Sequence, residues 1–344
     1  MPDFPSLSIA TNLAVFAVAA AAVWTAGTRL AAHADVIARA TGLGQAVIGM
    51  MLLGGITSLP EIAVSVTAGL AADPTLAVNN ILGGVALQVA IIAIGDAVLK
   101  DHAITSLVRK PIVMLQAAFS CLLLTLVLGA IVVGDVGVAG VGVWSIAVLA
   151  AGIAMFWRVA RTAGRDGWAP TRAADADAGD ADSNSGSDGL RTAIFGAATT
   201  GVVVLVAGYV LARTGEAIAH QTGLGTGFVG AILVGLATSL PEISTVIAAA
   251  RLRRYTMAFA DIFGTNMFDI MLIFLIDAVH RGPPVLATQG RFAAFAALLG
   301  IVLTLMYVVG LIERRDDARM RLGTDSWSVV LLYVCGAGAL YFLR

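Results

Sequence analysis

The sequence predicts an all-α polytopic membrane protein, with ten transmembrane helices arranged as two inverted five-helix repeats. Three observations support this fold class: ten long apolar runs, a cationic bias in alternate connections, and a motif that occurs twice. Of the 344 residues, 59% are apolar and 12% are charged. Soluble domains carry about 25% charged residues, and a membrane β-barrel would show shorter, alternating segments.

Each apolar run approaches or exceeds the ~20 residues that a helix needs to cross a bilayer. The predicted spans are 9–29, 44–71, 76–99, 111–133, 138–158, 192–212, 224–250, 256–279, 292–312 and 326–343. The first run lacks a basic leader and is too long for a signal peptide, so we expect it to remain as a span. Cys121 and Cys335 lie within spans, where we expect small buried apolar residues rather than a disulfide.

The cationic residues predict how the chain is oriented. All but four of the 21 lysines and arginines lie in connections that follow odd-numbered spans. The four exceptions are Arg213, Arg281, Arg291 and Arg344. Since positively charged connections stay in the cytoplasm, we expect a multi-pass protein of the cell (inner) membrane with both termini outside.

Residues 161–190 interrupt the apolar pattern and divide the chain into residues 1–160 and 191–344, each with five spans. The interruption is rich in Ala, Asp, Gly and Ser, a composition that predicts a disordered cytoplasmic linker. Its aspartates lack the twelve-residue spacing and closing glutamate of a calcium-binding loop. We therefore interpret this segment as a solvated tether.

The two halves repeat each other without a gap over residues 41–98 and 222–279. Thr-Ser-Leu-Pro-Glu-Ile occurs at 57–62 and again at 238–243, an offset of 181 residues. Because five spans is an odd number, the second half enters the membrane from the opposite side. Inverted repeats of this kind are typical of secondary transporters.

The repeated motif places a carboxylate and a helix breaker at membrane depth. Pro60 and Pro241 cannot donate a backbone hydrogen bond, so they free carbonyl oxygens one turn earlier. Glu61 and Glu242 are expected to face each other near the midplane. The hydroxyl groups of Thr57, Ser58, Thr238 and Ser239 add further oxygens.

The third span of each half carries a second polar element. In the second half, the stretch from Asp261 to Asp269 includes Gly264 and the oxygen-bearing side chains of Thr265, Asn266 and Asp269. The first half keeps the glycine as Gly83 but has Gly84, Val85 and Gln88 at the other three positions. The halves are therefore predicted to be unequal donors of ligands. Asp96 and Asp277, which recur at the ends of these spans, are interpreted as structural carboxylates that pair with Lys100 or Arg281.

Hard oxygen ligands and two buried carboxylates are the donor set that calcium prefers. A carboxylate inside the bilayer needs compensation, so cations and protons are expected to compete for the same oxygens. The residues thus predict inorganic cations and the lipid bilayer as partners, no nucleic acid, and no permanently bound cofactor.

The paired TSLPE motifs, each followed by a helix that carries a G-[ST]-N-x-x-[ND] motif or its variant, resemble the cation/calcium antiporter superfamily, best known from sodium/calcium exchangers. The resemblance covers roughly 41–98 and 222–279. It implies exchange of Ca²⁺ for Na⁺ or H⁺ by alternating access, in which two outer helices slide over a core of eight.

The resemblance also implies roles for individual residues. Glu61 and Glu242 would coordinate calcium together with backbone oxygens of Thr57 and Thr238. Side chains of a flanking sodium or central site would come from Ser58, Ser239, Thr265, Gln88 and Asp269, and carbonyl groups from Gly54 and Gly235. The family usually has Ser and Asn where this chain has Gly84 and Val85, and Asn or Asp where it has Gln88. These departures bear on the driving ion, because each removes or shifts an oxygen that sodium would use.

Three alternatives to sodium-driven exchange remain. The altered first half fits a proton-coupled antiporter of calcium or another divalent cation, such as manganese or magnesium. It also fits a cation sensor that binds without transport. An intramembrane enzyme with Glu61 and Glu242 as an acid–base pair is disfavoured, since the sequence has no His-Glu-x-x-His or Gly-x-Ser-x-Gly motif.

Overall fold

The computed structural model describes residues 4–70, 74–99, 102–108, 110–162, 187–222, 235–280, 282–316, 318–319 and 322–343. The α-helices are α1 Ile9–Thr41, α2 Gln45–Ile48, α3 Gly54–Thr57, α4 Leu59–Leu70, α5 Pro74–Leu99, α6 Ile104–Leu107, α7 Ile112–Val133, α8 Val143–Thr162, α9 Ser187–Gln221, α10 Leu240–Arg251, α11 Tyr255–Val279, α12 Arg291–Glu313 and α13 Thr324–Leu343. Residues 235–238 are also helical. A π-helical turn, Gly49–Leu53, joins α2 to α3, and 3₁₀ turns occur at Phe4–Ser6 and Val285–Thr288.

Two short antiparallel hairpins account for the strands of the described ranges. β1 (Gly137–Val138) pairs with β2 (Val141–Gly142), and β3 (Ala318–Arg319) pairs with β4 (Leu322–Gly323). Apart from these hairpins, the apolar runs within the described ranges are mainly helical, as the composition predicts.

Eight of the helices in the described part are long and apolar enough to cross a membrane: α1, α5, α7, α8, α9, α11, α12 and α13. The bent pair Gln45–Thr57 and Leu59–Val66 makes a ninth if it is counted as one span. These nine correspond to nine of the predicted spans. The remaining one, 224–250, begins outside the described residues, and its later part is helical at 235–238 and in α10.

The predicted linker is shorter than 161–190 at both ends. Helix α8 continues to Thr162, and α9 already begins at Ser187. The guanidinium group of Arg161 lies 3.8 Å above the ring of Trp157, and this cation–π pair, four residues apart on one helix face, adds a favourable contact in the last turn of α8. Residues 163–186 lie outside the described part of the chain.

The helices form a large core and a separate pair. The main apolar core is built chiefly from α5, α7, α11 and α12, with Val85, Phe259 and Tyr307 fully buried. No residue of α1 or α9 belongs to it among the described residues. Instead, α1 packs along α9, and this pair contacts the core mainly through α4 and α10.

Two smaller apolar clusters attach the α1/α9 pair to the core. The Leu30 cluster consists of Leu30, Ala34, Ile37, Ala38, Ile48, Leu53, Ala193, Ala197 and Met257. The Val23 cluster consists of Ala19, Val23, Leu211 and Ala237. The pair therefore contacts the rest of the protein through two separate clusters, and the Val23 cluster includes Ala237, which directly precedes the second motif.

Equivalent elements recur at the sequence offset of 181 residues. Helices α4 and α10 have matching bounds, as do α8 and α13 and the two hairpins. The hydrogen bonds match as well. Asp96 accepts from the backbone N–H groups of Ile104, at 2.5 Å, and Gly323, at 2.8 Å. Asp277 accepts from Val285, at 2.8 Å, and Gly142, at 2.7 Å.

Asp96 and Asp277 are thus structural, as predicted, but the predicted pairing with Lys100 or Arg281 is not what holds them in the described residues. Each carboxylate joins its own half to the hairpin of the other half through backbone donors. Lys100 and Arg281 lie outside the described part of the chain.

The prediction for the two cysteines is half correct. Cys121 is buried and free, whereas Cys335 is free but exposed. Only 22% of the apolar stretch of helix α13 is buried within the protein. Its outward face is therefore available to lipid, and an apolar residue there needs no protein neighbour.

Candidate cation site

The first motif lies at a break between two helices. The chain runs from the π-helical turn Gly49–Leu53 through α3, breaks at Ser58, and continues as α4, with a bend of 41° between the two helical parts. Pro60 has no N–H group for the carbonyl of Ile56. A π-helical turn is itself a common feature of functional sites, so two irregularities coincide just before Glu61.

The second motif has the same local hydrogen bonds. The carbonyl of Gly54 accepts from the backbone N–H of Ser58, at 3.1 Å, and from the hydroxyl of Thr57, at 3.4 Å. The carbonyl of Gly235 accepts from the N–H of Ser239, at 3.0 Å, and from the hydroxyl of Thr238, at 3.1 Å. The two motifs therefore present their glutamates from equivalent turns.

Glycines bring the first motif against α11. A Cβ atom built on Gly264 would lie 2.6 Å from the Cα of Met50, and one built on Gly54 would lie 2.7 Å from the backbone nitrogen of Thr265. Side-chain carbon atoms do not approach backbone so closely, so this crossing requires glycine at both positions. The resulting contact places the hydroxyl oxygens of Thr57 and Thr265 3.0 Å apart.

A second contact joins the two repeats at equivalent residues. The amide nitrogen of Gln88 donates to Oδ2 of Asp269 at 2.8 Å. Gln88 and Asp269 are 181 residues apart, so each is the counterpart of the other. Two residues at equivalent positions of the repeat are therefore in direct contact.

The side chains at the centre of the protein are buried, and many of their oxygen atoms lack hydrogen-bond partners. Glu61 is 6% exposed, and Glu242 is fully buried. The unpartnered oxygens within the described residues include both of Glu61, both of Glu242, Oδ1 of Asp269, Oε1 of Gln88, Oγ of Ser58 and Oδ1 of Asn266. Buried polar groups are nearly always satisfied, so this concentration of free acceptors makes the region a candidate site for a cation.

Four buried carboxyl groups, those of Glu61, Glu242, Asp261 and Asp269, are concentrated at the site. Glu61 lies within electrostatic range of Asp269, and Glu242 lies within range of Glu61, Asp269 and Asp261. None of the ion pairs formed in the described ranges involves these four carboxylates. These ranges also contain no ready cluster of three or more His, Cys, Asp or Glu side chains. A cation would therefore need hydroxyl, amide and carbonyl oxygens besides the carboxylates.

The structure thus combines a broken helix with two buried glutamates and several unpartnered oxygens. A family model described as sodium/calcium exchanger protein matches residues 11–160 and 192–342. The chain belongs to the sodium/calcium exchanger family. The matched ranges leave out the tether and contain both copies of the TSLPE motif.

Other comparisons agree with this membership. The chain is 25% identical to the inner membrane protein YrbG of Escherichia coli (strain K12) over 269 residues, which is 78% of this chain and 77% of that protein. The sodium-calcium exchanger NCX_Mj soaked with 10 mM Na⁺ and zero Ca²⁺ matches with a TM-score of 0.71 and 17% identity, over 98% of this chain and 100% of that chain. The same exchanger soaked with 10 mM Na⁺ and 10 mM Sr²⁺ gives 0.70 and 18%, with the same coverage.

Family membership agrees with a protein that transports ions rather than one that catalyses a reaction. The structure brings most of the predicted ligands of this exchanger-family chain to one region. Thr57, Thr265, Gln88 and Asp269 contact one another in pairs. Ser58, Ser239, Thr238 and Asn266 are buried, and Gly54 and Gly235 lie one turn before each break. Two positions differ from the family pattern. Val85 is fully buried in the main core, and Gly84 supplies no side-chain oxygen.

One polar pair in this exchanger-family chain was not assigned from the sequence. Asp261 is fully buried, and its carboxylate accepts a hydrogen bond from the hydroxyl of Thr245 on α10. The hydroxyl of Thr245 also lies 3.0 Å from the carbonyl oxygen of Glu242. Aligning the two halves could have drawn attention to this pair, because the first half has Asn80 in place of Asp261 and Val64 in place of Thr245. The second half therefore carries a carboxylate that the first half lacks.

Proposed function

We propose that the protein is a secondary-active cation antiporter that exchanges calcium for sodium at a site between its two halves. The observation that carries this proposal is the set of buried, unpartnered oxygens around Glu61 and Glu242. Carboxylates within a bilayer are costly unless they are paired. Bound cations supply the missing partner, and their release leaves the site ready for the exchanged ion.

The ligand chemistry favours calcium over magnesium. Calcium accepts six to eight oxygens in a flexible arrangement, whereas magnesium demands near-ideal octahedral geometry. Two glutamates balance a divalent charge. The proposed ligand set is Glu61, Glu242, Asp269, Gln88, Asn266, Thr57, Thr238, Thr265, Ser58, Ser239 and the carbonyl groups of Gly54 and Gly235.

The inverted-repeat arrangement of ten spans is part of the same proposal. It is supported by the recurrence of elements at an offset of 181 residues and by the hydrogen bond between the counterparts Gln88 and Asp269. The arginine distribution supports termini outside and a cytoplasmic tether. Two such halves could open the site alternately to each side.

Alternating access requires a part of the protein that moves relative to the site. The α1/α9 pair is suited to this movement, because it shares no residue with the main core in the described residues and contacts the motif-bearing helices. Gly27 of α1 faces Ser244 and Pro241, and its counterpart Gly208 of α9 faces Pro60. A shift of this pair would therefore change the contacts of Pro60 and Pro241 at the two helix breaks.

Coupling to protons rather than sodium is a second candidate, and one observation favours it. Thr265 bonds to Thr57 across the halves, but its counterpart is Gly84, which has no hydroxyl group for Thr238. Sodium is held by several weak oxygens, and one flanking position would be incomplete. A cation sensor would share the site without the flux.

The test is calcium-45 uptake into proteoliposomes under an imposed sodium gradient or pH gradient. We expect sodium-driven uptake that is lost in Glu61→Gln and in Glu242→Gln. Glu216→Gln, which removes an exposed carboxylate of α9 that pairs with Arg213, is the matched control and should transport normally. Uptake driven only by the pH gradient would indicate that protons, and not sodium, are the coupling ion. Calcium binding without uptake would indicate a sensor.

A further inference from the structure

A buried ion pair joins the α1/α9 pair to the core. Nε of Arg254 lies 2.5 Å from Oδ1 of Asp35, and Nη2 of the same arginine reaches Oδ2 at 3.5 Å. The side chains are only 11% and 9% exposed. Among the ion pairs formed in the described ranges, this one alone links α1 or α9 to another part of the chain.

The backbone around Arg254 holds it in place. Arg254 immediately precedes α11, and its N–H donates to the carbonyl of Ala249 at 2.8 Å. Arg253, just before it, has the left-handed φ of 59°, which shows a tight turn between α10 and α11. The carboxylate of Asp35 thus approaches the N-terminal end of the most buried span, where negative charge is favoured.

The ion pair lies at the same end of α1 as the Leu30 cluster. Ala34 and Ala38 flank Asp35 along α1, and Met257 of the cluster follows Arg254 by three residues. An apolar cluster and a buried ion pair therefore close the same part of the interface. The arginine distribution assigns this end to the cytoplasm.

The equivalent positions at the other end of the interface carry two acidic residues. The counterpart of Asp35 is Glu216, which pairs with Arg213 on its own helix, and both side chains are more than a third exposed. The counterpart of Arg254 in the sequence is Asp73, which has the same sign as Glu216 and cannot attract it. The repeat is thus broken at this contact, and in the described part of the chain an ion pair joins the α1/α9 pair to the core only at the cytoplasmic end.

We propose that Asp35 and Arg254 form a lock that holds the α1/α9 pair against the core at the cytoplasmic end. Opening that end separates the two side chains, and each then needs a new partner. Since losing a partner is costly for a buried charge, the lock favours the state that is closed on this side. Among the ion pairs of the described ranges none restrains the outer end in this way, so we expect the lock to make opening less favourable at the cytoplasmic end than at the outer end. The inference rests on the proposed alternating access.

The test measures opening by the reactivity of a buried cysteine. Ala34 is fully buried in the Leu30 cluster, so Ala34→Cys in a Cys121→Ala, Cys335→Ala background gives a single reporter. A membrane-impermeant thiol reagent is applied to inverted and to right-side-out vesicles. We expect slow labelling in the starting protein, and labelling about tenfold faster or more, from the cytoplasmic face only, after Asp35→Asn or Arg254→Gln.

Two further variants separate a lock from a general loss of stability. Arg39→Gln removes the other cation that contacts Asp35, at 2.9 Å, but this contact lies within α1, so labelling should stay slow. Exchanging the charges, with Asp35→Arg and Arg254→Asp together, should restore slow labelling. Unchanged labelling in both single variants, or fast labelling that the charge exchange does not reduce, would overturn the proposal. Because labelling requires no calcium flux, a failure of the lock is distinguishable from a failure of the proposed transport.

Discussion

At the scale of single residues, the site is defined by buried carboxyl groups that form none of the ion pairs in the described ranges. Glu61, Glu242 and Asp269 are buried, are near one another, and retain oxygens with no partner in the described ranges. Charges of this kind are retained within a membrane only where ions compensate them. The first half has Gly84 and Val85 where the second half has Thr265 and Asn266. We expect the missing side-chain oxygens to limit how many cations the site can bind.

Replacing Asp269 by Asn tests the charge without changing the shape. The hydrogen bond from Gln88 can persist to the amide oxygen, so the fold should be retained. The apparent affinity of uptake for calcium should fall at least about tenfold, equivalent to about 1.4 kcal/mol of binding free energy. The measurement is the calcium dependence of uptake in proteoliposomes, and uptake unchanged from the starting protein would remove Asp269 from the site.

Replacing Gly84 by Ser tests the incomplete first half. A Cβ atom built on Gly84 meets no atom within 4 Å, so the hydroxyl should be accommodated with little change in stability. We expect a larger sodium-driven share of calcium uptake, because the added oxygen matches that of Thr265 in the other half. The contrasting variant is Val85→Asn, which buries an amide in the main core and should destabilise the fold by about 1–3 kcal/mol.

At the scale of helices, glycine determines how the broken helix reaches α11. The crossing brings the backbone of Met50 against Gly264 and the backbone of Thr265 against Gly54. This close approach is also what places Thr57 beside Thr265. Packing and ligand geometry therefore depend on the same contacts.

Replacing Gly264 by Ala should destabilise the protein by about 1–3 kcal/mol, because the new methyl group would overlap the backbone of Met50. The control is Gly338→Ala in α13, where a Cβ atom meets nothing within 4 Å. That change should be neutral or stabilising by up to about 1 kcal/mol, since alanine has the higher helix propensity. Thermal unfolding in detergent measures both, and equal midpoints would contradict the proposed crossing.

At the scale of the whole molecule, two carboxylates connect the halves through hydrogen bonds. Asp96 and Asp277 each accept from one backbone N–H of their own half and from one in the hairpin of the opposite half. Membrane-embedded repeats share little hydrophobic driving force for association. Such charge-assisted hydrogen bonds therefore help to fix the register of the halves.

The variants Asp96→Asn and Asp277→Asn should each destabilise the protein by about 1–3 kcal/mol, since a carboxylate that accepts two buried donors is replaced by a weaker acceptor. The two effects should be similar, because the contacts are equivalent. They should also add to within about 0.5 kcal/mol, because the two carboxylates share no partner. Thermal unfolding of both single variants and the double variant decides this, and a large effect in only one half would refute the equivalence.

The sequence alone determined the membrane class, most of the spans, the repeat and the residue types of the site. Those features depend on local composition: a span needs about 20 apolar residues, and a duplicated Pro-Glu within such runs is visible without coordinates. The same local signals missed both ends of the predicted linker, since α8 continues to Thr162 and α9 already begins at Ser187.

Only the tertiary structure decided which groups meet. The π-helical turn, the contact of Gln88 with Asp269, the pairing of Asp261 with Thr245, and the ion pair of Asp35 with Arg254 all join residues through packing. The exposure of Cys335 likewise follows from the place of α13 at the edge of the molecule. Such features depend on which helix faces which, and in a protein whose spans are apolar on all sides, hydropathy carries little information about facing.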